Sequence, residues 1–377
     1  MDEWLPVFAL PNLALDEAIE TTVAALVPSH DTRVKGLREK HSSFDQFLRR
    51  FSDSFGVRFE PALILLRADA PKMFFDIGAL SSFRNLIALS AIMKNCALEI
   101  RHPHRHGAVF GEVFAFYPWM LDKHYEHLIG QTPALLGIHQ VCKLKAQSSP
   151  ALSRPKVTVS SLDAPLLDDL LQRWERRYRA EQPDWLDEKI FRSLNMAYHA
   201  SLMPALSDTT FLDAGRLIAL WVSALEILVR PEDREVRREH VLNLLDKAHW
   251  ERSVLNERSY TVGRKNPVER TLAACLCDRL YECRNDFLHG NPVDRNSIRL
   301  PNTKRSIFQY AAPLYRIALA ETIKLRINKP DPSLAEPEAC GEFIAARLSF
   351  LGPQRVIEDA LLTAVVNSEP PEDAVSP

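Results

Sequence analysis

An arginine, an asparagine and a histidine lie close together in the segment Tyr281–Gly290, at Arg284, Asn285 and His289. Histidine titrates near neutral pH and can move protons, and arginine presents a permanent, planar cation that binds phosphate oxygens. Cleavage of an RNA phosphodiester needs such groups, because a 2′-hydroxyl must lose a proton, a 5′-oxygen must gain one, and negative charge develops around phosphorus. This chemistry requires no metal ion, and we expect no cofactor.

The spacing of the three residues limits how they can act together. Asn285 and His289 are four apart and share a helix face, whereas Arg284 and His289 are five apart, roughly 140° around the helix. They converge only if the helix end at Gly290 frees His289, or if a second copy packs across a two-fold axis. The structural alternative is that Arg284 pairs with Glu282 or Asp286 while His289 satisfies carbonyls at the helix end.

The run Arg284-Asn285-x-x-x-His289 resembles the R-x(4–6)-H motif of the HEPN superfamily. Tyr281 before the motif and Gly290 after it make the segment most similar to the Apea-like HEPN group, whose earlier core helix resembles the run Ala224–Glu226. The resemblance covers about residues 160–330. It implies a helical bundle that dimerises and acts as a metal-independent endoribonuclease, with Arg284 and His289 catalytic and Asn285 supporting them.

The family resemblance also implies partners. HEPN domains recur in toxin–antitoxin, abortive-infection and RNA-targeting CRISPR systems. We therefore expect RNA as the substrate, a homodimer formed through the helical domain, an antitoxin or phage-derived trigger, and a role in defence or stress. The alternative is an inactive HEPN module that binds RNA or protein, or that only dimerises.

Residues around the motif are candidates for supporting roles. Glu226 lies within an apolar helix and is expected either to hold an arginine near the site or to lie at the rim of the bundle. Tyr281 and Asp286 flank the Arg–Asn pair. Basic residues before and after the motif form either a phosphate-binding rim or solvent-exposed charged loops: Arg264, Lys265, Arg295, Arg299, Lys304 and Arg305.

A second polar cluster contains His102, His104 and His106, which alternate along the chain. In an extended segment they would project to one side and could bind Zn²⁺, with Glu112, His124 or His127 as a further ligand. Pro103 and Arg105 fit a solvent-exposed loop equally well. A zinc-dependent enzyme is therefore a third hypothesis.

The composition excludes several classes of protein. The chain has 377 residues, 46% hydrophobic and 25% charged, which is ordinary for a globular protein of two or three domains. Its net charge is 47 − 49 = −2, so any contact with nucleic acid must come from a local basic patch. Neither G-x-G-x-x-G nor G-x-x-x-x-G-K-[ST] occurs, which excludes Rossmann and P-loop sites.

The location of the protein is also predicted from the sequence. The acidic N-terminus does not resemble a signal peptide, and the most apolar stretch, Phe211–Val229, contains three charged residues. The six cysteines form no C-x-x-C pair, which favours reduced thiols. We expect a cytoplasmic protein that does not enter a membrane.

The hydrophobic pattern predicts a mainly α protein in three parts. Residues 1–150 form a sensing or regulatory region, mixed α/β or mostly helical, with a buried strand at 62–66 and a helix at 82–100. Residues 160–330 form the HEPN-like helical bundle, and 331–377 add two short helices around Pro353 and a disordered tail. Six helices are expected after residue 160, beginning near Asp163, Pro183, Ser207, Glu232, Pro267 and Thr303.

Overall fold

The structure is a computed structural model that describes residues 3–53, 55–102, 113–132, 135–145, 156–202, 210–233, 235–263, 266–301, 303, 305–326 and 337–365. This part of the chain is mainly α-helical and includes a mixed α/β region near the N-terminus, which confirms the expected fold class. The chain divides into two compact units: 1–88, 108–162 and 170–184 form the first, and 89–107, 163–169 and 185–377 the second.

The first unit contains a four-stranded antiparallel sheet in the order β1-β5-β4-β3. The predicted strand at 62–66 is confirmed as the central strand β5, and burial on both of its faces explains its continuous apolar sequence. Strand β2 pairs in parallel with β9 instead. These strands are β1 Trp4–Leu10, β2 Ala14–Leu15, β3 Ile19–Glu20, β4 Ala24–Val27, β5 Ala62–Arg67 and β9 Lys156–Val157.

A second, three-stranded antiparallel sheet belongs to the same unit. It has the order β6-β7-β8, formed by Met120–Leu121, His127–Thr132 and Leu135–Gln140. Two short helices, α1 (Thr32–Lys40) and α2 (Ser42–Leu48), pack in this unit, and α2 brings Phe44 and Phe47 into the core against Tyr125 and Tyr117. Tyr117 is therefore a core residue, and its burial raises the pKa of its hydroxyl.

Two long helices have residues in both units. The predicted helix at 82–100 is confirmed as α3, although it begins earlier and spans Ile77–Arg101. Helix α4 spans Ala164–Arg179, close to its expected start at Asp163. Within the first unit, the fully buried Trp174 of α4 donates from Nε1 to the carbonyl of Ala79 over 2.9 Å.

The second unit is a helical bundle, as expected for the C-terminal part. Helix α6 packs against α5, α8 and α9, and α7 packs against α8. Within the described residues, no helix has both the length and the apolar character needed to cross a membrane. The helices of this unit are α5 Trp185–Ala200, α6 Phe211–Val229, α7 Arg238–Asp246, α8 Leu272–Leu288, α9 Ala311–Ile323 and α10 Pro337–Leu362.

Several predicted helix starts were wrong because local pairing uses the residues before them. The sequence predicts a polar, basic loop over residues 252–264 and a helix from near Pro267. Instead, β10 (Tyr260–Val262) and β11 (Val268–Arg270) form a hairpin, so α8 begins at Leu272. The helix expected near Glu232 begins at Arg238, where the Arg237 N–H donates to His240 Nδ1. The helix expected near Thr303 begins at Ala311, after a turn closed by the pair Arg299 and Ser306.

The C-terminal segment also differs from expectation. One helix, α10, runs through Pro353 where two short helices were predicted. Proline removes one helical hydrogen bond, but Phe350, Leu351 and Ile357 are all buried around it, and their burial favours a continuous helix. The predicted disordered tail from 368 lies outside the described residues.

Candidate functional site

Helix α8 carries the motif residues, and both of its ends are fixed by local interactions. At its start, the Thr271 side chain accepts a hydrogen bond from the Ala274 N–H. At its end, Gly290 adopts a left-handed φ of +71°, and the Asn291 N–H donates to the Asp286 carbonyl over 3.0 Å. This is a Schellman ending, so the predicted stop at Gly290 is confirmed.

Arg284 is held by three side chains of its own chain. Its Nη1 lies 3.4 Å from Glu226 Oε1, and its guanidinium lies 5.3 Å from the centre of the Tyr281 ring. Its Nε and Nη2 donate to Asn285 Oδ1 over 3.3 and 3.2 Å. The structure therefore brings Glu226, Tyr281, Arg284 and Asn285 together, and Glu226 takes the position expected of a carboxylate that holds an arginine.

These distances are long for charge-assisted hydrogen bonds, which usually measure about 2.7–2.9 Å. The Arg284 side chain also stays 26% exposed. The guanidinium is thus positioned by its neighbours without using its hydrogen-bonding capacity fully. It remains able to bind a phosphate oxygen.

Tyr281 is buried, and the Arg284 guanidinium lies over its ring. Its burial raises the pKa of its hydroxyl, and the nearby Cys277 and Glu226 raise it further, so the hydroxyl stays protonated at neutral pH. Tyr281 therefore offers Arg284 a neutral ring face, and the cation–π contact adds to the pull of Glu226.

His289 lies apart from this cluster. It caps the C-terminus of α8, where its backbone N–H donates to the Asn285 carbonyl over 2.9 Å. His289 is exposed to solvent. Among the described residues, its imidazole has no hydrogen bond, ion pair or ring contact, and none joins it to Arg284. One chain therefore does not bring the two predicted catalytic residues into contact, as their angular separation on the helix leads one to expect.

The alternative prediction that Arg284 pairs with Glu282 or Asp286 is wrong. Glu282 pairs with Arg279 over 2.9 Å, and Asp286 Oδ1 accepts from Asn291 Nδ2 over 2.9 Å. Asp286 thus stabilises the turn after α8.

The predicted basic rim is only partly described. Arg295 and Arg299 are exposed, whereas Arg305 donates to the Ile100 carbonyl over 2.7 Å and so helps to hold the end of α3. Arg264, Lys265 and Lys304 lie outside the described residues.

Sequence reasoning missed a polar cleft of about 530 Å³ beside the motif. It lies between the β10–β11 hairpin, α7 and α8, and Asn285 and Asp286 line it, but Arg284 and His289 do not. Acidic side chains four residues apart on α8 were its only signal, since the hairpin opposite them was predicted as a loop. Its other charged lining residues are Arg238, Glu239, Arg270, Asp278, Arg279 and Glu282.

The charges of this cleft are largely paired with each other. Arg238 lies 2.8 Å from Asp278, and Arg270 binds both Asp246 (2.7 Å) and Glu239. Burial, above all, raises the pKa of Asp278, although Arg238 opposes this shift. The lining holds four carboxylates and three arginines, so this pairing leaves the cleft with a small net negative charge.

The histidine cluster of the sequence is not assembled as a metal site in the described residues. His124 is exposed, and His127 Nδ1 lies 3.3 Å from Asp122 Oδ2. His104, His106 and Glu112 lie outside the described residues. No group of three His, Cys, Asp or Glu side chains placed to bind a metal occurs among the residues described.

Comparison with known protein families, characterised proteins and solved structures finds no match. The HEPN resemblance therefore stays a prediction based on the motif and its helical context.

Proposed function

We propose that this chain is a metal-independent endoribonuclease of HEPN type, acting through Arg284, Asn285 and His289. The observation that supports it most is the state of Arg284. Its guanidinium is oriented by Glu226 and Tyr281 but remains partly exposed, and the exposed imidazole of His289 lies at the end of the same helix.

The reaction uses the ribose next to the cleaved bond. A neutral His289 imidazole takes the proton of the 2′-hydroxyl, whose oxygen attacks phosphorus as the bond to the 5′-oxygen breaks. A protonated His289 from a second copy gives its proton to the leaving 5′-oxygen. Arg284 stabilises the charge on the phosphoryl oxygens, and the products are a 2′,3′-cyclic phosphate and a 5′-hydroxyl.

The second copy is part of this proposal because one chain supplies one such histidine. Arg284 and His289 do not meet within a chain, so two chains related by a two-fold axis are needed to place a base and an acid around one phosphate.

The test is cleavage of RNA in EDTA by the full-length protein. We expect Arg284→Ala and His289→Ala each to lower the cleavage rate by at least about 100-fold. His249→Ala removes an exposed histidine of the second unit, and Arg216→Ala an arginine 60% exposed on α6, so both should retain wild-type rates. Equal cleavage by all five proteins would remove the assignment.

A non-catalytic module is the second candidate, and one observation favours it. Three side chains of its own chain already contact Arg284, as they would contact a structural arginine. If this is its role, wild type binds RNA or dimerises without cleaving RNA, and Arg284→Ala changes the unfolding temperature more than RNA binding.

A further inference from the structure

Strand β8 lies at the edge of the three-stranded sheet in the first unit. It pairs with β7 along its whole length, from Thr132 opposite Leu135 to His127 opposite Gln140. No strand in the described part of the chain pairs with its other side.

Two hydrogen bonds around β7 show which N–H and C=O groups of β8 point away from β7. The Asp122 N–H donates to the His127 carbonyl, and the Val141 N–H donates to the Glu126 carbonyl. In an antiparallel pair the polar groups of successive residues alternate in direction. Leu135, Gly137 and His139 therefore bond to β7, and the N–H and C=O groups of Leu136, Ile138 and Gln140 point to the open side.

The two faces of the β7–β8 hairpin differ. On one face the Trp119 ring covers Gly130 and Gly137, where a Cβ atom would lie only 2.5 and 2.8 Å from it. On the other face Leu136 and Ile138 are 67% and 63% exposed. Within the described part of the chain, the open edge therefore combines backbone groups that have no strand partner with two large apolar side chains.

This edge lacks the protection that the other edges of the first unit have. Edge strands of natural proteins are usually kept from pairing by charged residues, proline, bulges or short length. Edge strand β1 contains Pro6 and an irregularity between Pro6 and Phe8, and edge strand β3 is two residues long and ends in Glu20. The β8 sequence, Leu135–Gln140, contains neither a charged residue nor a proline.

We propose that β8 is a strand-pairing site and that its occupant is β8 of a second copy, antiparallel across a two-fold axis. The strand suits itself as a partner. It contains no Asp, Glu, Lys or Arg that would repel its copy, and its one titratable side chain, His139, lies against Trp119 on the face away from Leu136 and Ile138. Its outward N–H groups can donate to the outward C=O groups of the copy, and the reverse, so all of them can pair. Leu136 and Ile138 of both copies then lie on one face and form a continuous apolar surface. The pairing makes a six-stranded sheet, and it depends on no part of the proposed nuclease function.

The test compares the mass of the full chain in solution across a concentration series by sedimentation. We expect wild type to self-associate and Ile138→Lys to weaken the β8 contact at least tenfold, because the change places like charges beside each other at the new strand pair. The mass then falls to that of the monomer, or to that of the motif-helix dimer if the nuclease pairing also forms. Val159→Lys adds the same charge at an apolar residue of the same unit that is 58% exposed, and it should leave the mass unchanged. Circular dichroism shows whether each variant is folded.

Leu288→Lys separates this contact from one near the motif helix, since Leu288 is 60% exposed at the end of α8. A dimer that survives Ile138→Lys but is lost in Leu288→Lys overturns the proposal. A wild-type protein that stays monomeric throughout the series also overturns the proposal. This holds even if the monomer binds a synthetic peptide of residues 135–140.

A cross-linking experiment supplies a second readout. In a Cys142→Ser background, which removes the exposed thiol next to β8, we expect Ile138→Cys to give a covalent dimer on mild oxidation. Val159→Cys in the same background should stay monomeric. Equal cross-linking of the two variants contradicts the pairing.

Discussion

Among single residues, Arg284 shows how a buried ring and a carboxylate can orient a cation and still leave its N–H groups able to form further hydrogen bonds. The Glu226 and Arg284 side chains are 29% and 26% exposed, so water screens their attraction. Such pairs contribute at most about 1 kcal/mol to stability. The contact therefore affects where Arg284 points more than whether the chain folds.

We predict that Glu226→Gln lowers the free energy of unfolding by less than about 1 kcal/mol and strengthens binding of an uncleavable RNA. The physical reason is that loss of the carboxylate frees Arg284 Nη1 for a phosphate. Urea unfolding and fluorescence anisotropy measure the two effects. Asp213→Asn, which removes the partner of Arg216, is the control, and weaker RNA binding by Glu226→Gln would contradict the role of Arg284.

The cysteines differ in their expected reactivity. Burial raises the pKa of Cys283 to about 11 and that of Cys96 to about 12, and Cys142 is exposed. The thiolate is the reactive form, and a pKa of 11 leaves only about one thiol in a thousand ionised at pH 8. We predict that iodoacetamide labels Cys142 first in the native protein, read out by peptide mass spectrometry. Labelling of Cys283, which is buried, should require unfolding, and a rate equal to that of Cys142 in the native protein would contradict the structure.

At the scale of secondary-structure elements, α6 and α8 approach closely at Gly215. A Cβ atom there would lie 2.5 Å from the Phe287 ring, which also contacts Phe211. The close approach of α8, which carries the motif, therefore depends on the absence of a side chain at Gly215.

Two glycine substitutions in helices should have opposite effects on stability. Gly215→Ala forces Phe287 to move, so we predict a loss of about 1–3 kcal/mol in the free energy of unfolding. Gly341 in α10 has nothing within 4 Å of the added atom, and Gly341→Ala should stabilise the chain by up to about 1 kcal/mol. Urea denaturation compares them, and effects of the same sign would refute the described packing.

A buried ionic network joins α9, α10 and the start of α4 within the second unit. Arg316 is 1% exposed, and its Nε donates to Asp163 Oδ2 over 2.9 Å, while its Nη1 donates to Gln354. Gln354 in turn donates to Glu358 over 2.7 Å, and Glu358 accepts the backbone N–H of Arg252.

We predict that Arg316→Ala lowers the free energy of unfolding by about 3–5 kcal/mol, because the buried Asp163 would lose its hydrogen-bonded guanidinium partner and keep only the more distant charge of Lys94. Arg326→Ala removes an arginine that is 37% exposed and paired with Glu321, and its effect should stay below about 1 kcal/mol. Chemical denaturation of both variants checks the difference. Equal effects would mean that the network contributes little.

At the scale of the whole molecule, the net charge of −2 gives RNA no general attraction to the chain. The proposed RNA binding would have to come from local cations, and of the predicted rim Arg295 and Arg299 are exposed in the structure.

Affinity for single-stranded RNA falls with salt, and each phosphate contact makes the slope of log affinity against log salt more negative by about 0.7. We predict that Arg295→Ala and Arg299→Ala each reduce the magnitude of this slope by roughly that amount. Arg49→Ala removes an arginine 65% exposed in the first unit and should leave the slope unchanged. Anisotropy titrations at several salt concentrations measure it, and an unchanged slope in both rim variants would remove them from the interface.

Features that depend on neighbours a few residues away could be predicted from the amino-acid sequence. The end of α8 at Gly290, the long helix around residues 82–100 and the buried strand at 62–66 all follow from caps and hydrophobic spacing. Such signals act within one or two turns, so they can be read without knowing the fold.

Contacts between residues distant in the sequence could not be predicted and became visible only in the folded chain. Glu226 and Arg284 are 58 residues apart, and the β10–β11 hairpin that walls the polar cleft has strands too short to show a pattern. The exposure of Leu136 and Ile138 depends on which face of the hairpin Trp119 covers. These outcomes arise from burial and pairing between distant segments, whose free energies depend on the whole fold and not on local spacing.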